Sequence, residues 1–324
     1  MAKPIASIVV PAFNAEKTIG KCLESLSRQS FKGYETIVVD DGSRDKTGEI
    51  AESFRGTRVL TEKNAGPAVA RNNGAKSAKG EIVVFTDSDC IAEPNWLEEM
   101  LKPFADKMVA GVQGRYKCRQ KELVARLIQL EIEQRYEKMR RQKSIDFIGS
   151  YSAAYRKSIF EKLKGFDTSY PMASGEDTDF SFRVHEAGHQ MIFNPNAIVY
   201  HTHPTSLWKY LKVKYYRAFW RTKVYKRHRG KMVKDSYTSQ MVKVQAMLFY
   251  LLFPAAVAAI VWPGLAFLLG LNALLLFLTA LPFAVWAFSK DKAVAIVSPF
   301  VILLRTAMFA FGLAAGIARE ALGK

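Results

Sequence analysis

The chain has 324 residues, with 47 Lys or Arg against 30 Asp or Glu and a formal charge of +17. That length exceeds one average domain, so two parts are expected. Three cysteines, Cys22, Cys90 and Cys118, have no CxxC spacing and leave an odd one over, so neither a disulfide framework nor a zinc site is suggested. Nucleic acid, anionic lipid and a phosphorylated substrate all suit such basicity, and position along the chain decides among them.

At the N-terminus no basic leader precedes a long apolar run, so no cleaved signal peptide is expected. Residues 6–11 are a β-branched run closed by Pro11, which fits a buried parallel strand. Ile19, Cys22, Leu23 and Leu26 then recur at helical spacing within residues 15–28. Residues 34–40 predict a second strand, and Asp41-Gly-Ser43 predicts a turn and N-cap for a helix over 44–54. A strand over 57–61 and a helix of small residues over 67–78 follow. The fourth strand, 81–86, ends in Asp87-Ser88-Asp89. Two carboxylates at that spacing repel, and a divalent cation bridging them to a phosphate makes the arrangement favourable. In an open parallel sheet the C-terminal end of a strand is where ligands bind.

Further along, a helix is expected over 95–104, an extended segment over 108–114 and a long charged helix over 122–141. Residues 147–154 read as a strand of small residues suited to a pocket floor. Gly175-Glu-Asp-Thr-Asp-Phe180 opens an amphipathic helix ending at Gly188, and a strand pair is expected over 190–200, followed by His201 and His203. Twelve Lys or Arg against Asp235 alone lie between His201 and Ala246, interleaved with aromatics such as Trp208, Tyr216, Phe219 and Trp220. Because this block leads straight into apolar segments, it is expected to lie on an anionic bilayer rather than on nucleic acid. Residues 244–262 and 265–288 are long enough to span a hydrocarbon core, and 293–317 is a third candidate interrupted by Arg305. Positive charge before the first span, with Lys290 and Lys292 after the second, predicts a cytoplasmic N-terminal domain.

Five motifs in order, Ile8-Val-Val-Pro-Ala-Phe-Asn14, Ile37-Val-Val-Asp-Asp-Gly-Ser43, Asn64-Ala-Gly-Pro-Ala-Val-Ala-Arg-Asn-Asn-Gly74, Phe85-Thr-Asp-Ser-Asp89 and Gly175-Glu-Asp-Thr-Asp179, together resemble a family 2 glycosyltransferase of the α/β GT-A fold. The resemblance covers about residues 4 to 205 and implies inverting transfer of a sugar from a nucleotide diphosphate donor. It implies donor contacts from Pro11, Ala12, Phe13, Asp40, Asp41, Asn64, Arg71, Asp87 and Ser88. Mn²⁺ or Mg²⁺ is expected on Asp87 and Asp89, with His201, or His203 in its place, as a further ligand. Asp177 takes the part of the base and Glu176 that of orienting acceptor or base. A hydroxyl acceptor needs such a base, whereas an already ionised phosphate does not. Gly-Glu-Asp therefore favours a hydroxyl over a polyprenyl phosphate, the alternative acceptor. A non-catalytic nucleotide-sugar-binding protein is the remaining reading. Lys214-Tyr-Tyr-Arg-Ala-Phe-Trp220 departs from the Gln-x-x-Arg-Trp of processive polysaccharide synthases, which speaks against polymer extrusion.

The expected organisation is a GT-A domain over 1–204, a basic amphipathic interfacial segment over 205–243 and a membrane region of two or three helices over 244–317. The acceptor is expected to be a lipid-linked or envelope glycan at the cytoplasmic membrane face.

Overall fold

A computed structural model of the chain describes residues 3–232, 235 and 238–322. Residues 233, 234, 236 and 237, inside the expected interfacial segment, lie outside the described residues. The chain forms two compact units. One comprises Met1–Arg119, Tyr136–Thr202 and Asp235–Tyr237, and the other Gln120–Arg135, His203–Lys234 and Thr238–Lys324.

In the first unit, strand and helix alternate as the apolar periods dictate. The elements are β1 (Ala6–Ala12), α1 (Ile19–Ser27), β2 (Tyr34–Asp40), α2 (Thr47–Glu52), β3 (Thr57–Thr61), α3 (Pro67–Ser77), β4 (Ile82–Thr86), β5 (Ile91–Ala92), α4 (Trp96–Leu101) and β6 (Val109–Lys117). After α5 (Leu123–Arg140), whose residues are divided between the units, come β7 (Ser152–Arg156), α6 (Lys157–Lys162), α7 (Glu176–Glu186) and β8 (Gln190–Tyr200). The eight strands form one sheet in the order β3-β2-β1-β4-β7-β6-β8-β5. Strands β1 to β4 are mutually parallel, while β7 runs antiparallel to β4 and β6. Ile8, Val9 and Val10 are wholly buried, as a strand covered on both faces requires. A Cβ at Gly74 would collide with Val9, so α3 packs directly on β1.

The register sets Ala12 beside Asp40 and Val9 beside Phe85, which brings the C-terminal ends of β1, β2 and β4 to one rim. Behind β4 an aromatic cluster ties α7 to the sheet. Phe85 meets Phe166 at 5.3 Å between ring centroids, Phe166 meets Phe180 at 5.3 Å, and Phe160 meets Phe180 at 4.8 Å. The start of α7 is thereby fixed near the end of β4.

Several local expectations shift. Helix α2 begins at Thr47 rather than near Arg44, because Asp45 Oδ1 accepts from the Thr47 amide at 3.0 Å while Ser43 Oγ accepts from the Asn14 amide. The strand expected over 147–154 is confined to β7, since Gly149 and Tyr151 turn the chain first. The strand pair expected over 190–200 is the single strand β8, which runs parallel to β6 throughout. Its register jumps from Gln113↔Phe193 to Arg115↔Ile198, so Asn194-Pro195-Asn196 bulges out and imitates a hairpin turn in the sequence.

The second unit is helical: α8 (Leu207–Arg227), α9 (Gln240–Val261), α10 (Ala266–Leu278), α11 (Leu281–Phe288) and α12 (Lys292–Ala321), with part of α5. Three helical segments, Gln240–Val261, Pro263–Phe288 and Lys292–Ala321, are long and apolar enough to cross a membrane. The second is broken at Thr279 and Ala280, between α10 and α11. Leu127, Tyr210, Leu211, Phe283, Val294 and Ile302 form the apolar core of this unit. Lys214, counted by the sequence among the surface cations, is buried and donates to Glu131 Oε2 at 2.7 Å. Arg305 also turns inward, donating to Glu131 Oε1 at 2.6 Å and to Gln245 Oε1 at 2.6 Å. Each of the two carboxylate oxygens thus meets a cation, which keeps Glu131 ionised against its burial.

Candidate active site

At the rim of the sheet, Asp87 and Asp89 follow directly on β4 and remain half-exposed. Ligand atoms of Asp87, Asp89 and Cys90 lie within 4.8 Å of one another. His201, immediately after β8, brings Nε2 to 3.2 Å from Asp89 Oδ2. Burial opposes ionisation of Asp89, yet the hydrogen bond and charge of His201 outweigh it and hold the carboxyl below its usual range. Burial, together with Asp87 and Asp89, pushes the Cys90 thiol well up. His201 thus adds an imidazole beside Asp89, and the two carboxylates are hard oxygen donors of the kind Mn²⁺ and Mg²⁺ take. His203 is buried in the second unit, with Nε2 3.0 Å from Gln129 Oε1, so His201 is the imidazole presented to the acidic pair.

Arg71, expected to contact the donor, lies on α3. It is 3 % exposed, with Nη2 donating to Asp87 Oδ1 at 2.9 Å and Nη1 to Glu176 Oε1 at 3.0 Å. Glu176, at the first turn of α7, also accepts from the Ser174 amide at 2.9 Å. Burial first, and then the charge of Asp177, pushes its carboxyl up to about 7, against the pull of Arg71. Asp177 is half-exposed, and its Oδ1 accepts from the Thr178 amide at 2.7 Å. Of the two adjacent acids, one is locked into the interior and the other faces outward. Gly175 at the helix N-cap has φ 129°, a conformation that disfavours any side chain there.

The nucleotide-side residues share the same rim. Phe13 is 50 % exposed beyond the end of β1, whereas Ala12 is buried and its carbonyl accepts from the Asp41 amide at 2.9 Å. Asp40 is buried, with Oδ1 accepting from the Ser43 amide at 3.0 Å. Asp41 is also buried: Oδ1 accepts from the Ala65 amide at 2.7 Å, and Oδ2 from the Gly66 amide at 3.0 Å. Asn64 Nδ2 donates to the Asp41 carbonyl at 3.0 Å, so Asp41 and Asn64 brace the loop that leads into α3. Pro11 and Ser88 are half-buried at the ends of their strands.

Sequence reasoning did not single out the ring stack beside the acidic pair. Tyr116 and Tyr151 stack with centroids 3.5 Å apart, Tyr136 and Tyr151 hydroxyls lie 2.7 Å apart, and the Tyr116 ring lies 4.7 Å from that of His201. The Tyr116 hydroxyl is 3.5 Å from Asp87 Oδ2. These tyrosines come from β6, α5 and the loop before β7, and no spacing in the sequence links them.

The mostly parallel sheet flanked by helices, with the acidic pair at its rim, has the GT-A fold. Residues 7–164 match the model of Glycosyl transferase family 2. The glycosyltransferase GlyG of Streptococcus pneumoniae is 38% identical over 117 residues, 35% of this chain and 39% of that protein. The pre-mycofactocin glycosyltransferase of Mycobacterium tuberculosis is 31% identical over 210 residues, 62% of this chain and 43% of that one. The chain spans less than two thirds of the length of the curated relatives it matches. In fold it is similar to a mannosyltransferase of Pyrobaculum calidifontis solved with GDP-Man and Mn²⁺, with a TM-score of 0.61, 19% identity and coverage of 100% of this chain and 89% of that one.

Proposed function

We propose that the chain is an inverting glycosyltransferase that moves a hexosyl group from a nucleotide diphosphate sugar to a hydroxyl of a lipid-linked or envelope glycan at a membrane surface. The single observation carrying this reading is the linkage of Asp87 through Arg71 to Glu176, which holds the donor rim and the start of α7 in one frame. The fold relative binds GDP-Man with Mn²⁺, and the apolar helices are in keeping with a membrane-borne acceptor.

Asp87, Asp89 and His201 would hold Mn²⁺ or Mg²⁺, which neutralises charge on a departing nucleotide diphosphate. Phe13, with the loop braced by Asp41 and Asn64, lines the side expected to receive the nucleotide. Asp177 would take the acceptor proton as the acceptor oxygen bonds to the anomeric carbon and the bond to the diphosphate breaks, a direct displacement that inverts that carbon. Buried Glu176, held by Arg71 and the Ser174 amide, keeps the first turn of α7 in place for Asp177. The Tyr116 and Tyr151 rings offer a surface against which a sugar can pack.

The reading is tested by incubating full-length protein in lipid with a panel of nucleotide sugars, Mn²⁺ and glycolipid acceptors, and determining the anomeric configuration of the product. An inverted linkage on a hydroxyl is expected. A retained configuration overturns the mechanism, and donor binding with neither transfer nor hydrolysis favours a non-catalytic binding protein.

A further inference from the structure

By length and composition alone, Lys292–Ala321 qualifies as a membrane span. Its packing points elsewhere. At its middle, Arg305 donates to Glu131 of α5, the same carboxylate that takes Lys214 of α8 at 2.7 Å and the Tyr210 hydroxyl at 2.9 Å. About two turns further on, a Cβ at Gly312 would collide with the Tyr215 carbonyl oxygen, and one at Gly316 with that of Phe219. These two glycines let the backbones of α12 and α8 approach closely, and the paired residues ascend together, so the helices run in parallel. At the end of the pair, the Arg319 guanidinium stacks 4.4 Å from the Trp220 ring, and Lys226 Nζ lies 3.0 Å from Glu320 Oε2.

Contact therefore runs along α12 from Arg305 to Glu320, and α8 is the wrong partner for a bilayer interior. It carries eight Lys or Arg and no acid. Lys209, Lys212, Arg217, Lys226 and Arg227 are exposed, and such a row of cations is not accommodated in hydrocarbon. A helix fastened to α8 over that length shares its depth. Away from α8, the apolar residues Ile296, Phe300, Leu304, Phe311 and Ile317 of α12 remain exposed, with Phe311 touching Phe249 of α9 at 5.6 Å and Phe300 touching Phe277 of α10 at 6.4 Å between ring centroids.

We propose that α12 lies along the membrane interface beside α8 instead of crossing the bilayer, with its apolar face in the acyl boundary of an anionic leaflet and the C-terminus on the side from which α8 starts. Anionic lipid is the occupant because the packed pair offers cations and apolar side chains together, the pattern of an interfacial helix. The α9 and α10 hairpin then remains as the segment that enters the hydrocarbon. Because only a short connection separates β8 from α8, the proposal expects the N-terminal domain and the C-terminus to be reached from one side of the membrane. This inference stands independently of the transferase reading.

The test uses full-length protein in sealed vesicles containing anionic lipid, in a Cys118→Ser background because Cys22 and Cys90 are buried. Lys32→Cys on the N-terminal domain and Leu322→Cys at the C-terminus are probed with a membrane-impermeant maleimide. Both are expected to react from the same side, and reaction from opposite sides overturns the proposal. A second measurement reads the depth of spin labels at Phe300→Cys and Phe311→Cys. Similar shallow depths are expected, whereas a spanning helix separates them by about 16 Å at 1.5 Å per residue. Disulfide trapping between two copies through Phe311→Cys in excess lipid would assign the apolar face to a second copy and overturn the lipid occupant.

Discussion

Arg71 Nη2 lies 2.9 Å from Asp87 Oδ1, and the other arm of the same buried guanidinium reaches Glu176 at 3.0 Å. A residue on α3 thus fixes two carboxylates that are 89 positions apart in the chain. Arg71→Ala leaves Glu176 buried without its cation, and is expected to destabilise the first unit by about 3–5 kcal/mol. Thermal unfolding measures this. Arg71→Lys keeps the charge but cannot make both bonds in a fixed plane, so it should recover stability more fully than turnover.

His201 sits 3.2 Å from Asp89 and stacks near Tyr116. His201→Ala is expected to weaken Mn²⁺ binding by about 10- to 100-fold, the range found when a metal site loses a supporting group. Titration of Mn²⁺ followed by calorimetry checks this, with His203→Ala as the comparison. Equal loss from both variants would remove the distinction between the two histidines.

Asp177→Asn is expected to lower kcat by about 10²- to 10⁴-fold on a hydroxyl acceptor while leaving donor affinity within a few-fold, the signature of a lost general base. Near-full activity on a polyprenyl phosphate acceptor would sink the base assignment and favour the alternative acceptor class.

Glu176 supplies a pH dependence. Its carboxyl ionises near 4.5 in an unfolded chain and at about 7 in the folded one, raised first by burial and then by Asp177. The folded state therefore binds the proton more tightly, so the stability contribution of this group is fully present below about 4.5 and is lost as pH rises to about 7. Turnover should move the other way, since ionised Glu176 is the form that pairs with Arg71. A pH–rate profile is expected to rise through about 7 in the wild type and to lose that limb in Glu176→Gln.

The alternation of strand and helix in the first unit was legible because buried parallel strands are uninterrupted apolar runs; residues 34–40 and 57–61 form strands with the expected bounds. The acidic pair at the end of β4 was legible for the same reason. What the sequence hid depends on three-dimensional partners. A buried Arg71 looks like any surface arginine on a helix of small residues, and the Tyr116 and Tyr151 stack joins separate segments. Asn194-Pro195-Asn196 carries turn residues, yet β6 holds both flanks of the bulge in one parallel strand. Lys214 reads as one more cation in a basic run until Glu131, from another helix, draws it inward.

The most direct test of the central claim compares wild type with Asp89→Ala for release of nucleotide diphosphate from the preferred donor, with Mn²⁺ present and after chelation. The expected result is metal-dependent release that Asp89→Ala abolishes while the protein stays membrane-bound. Release that survives both chelation and Asp89→Ala would contradict the assignment of Asp87, Asp89 and His201 as the metal site.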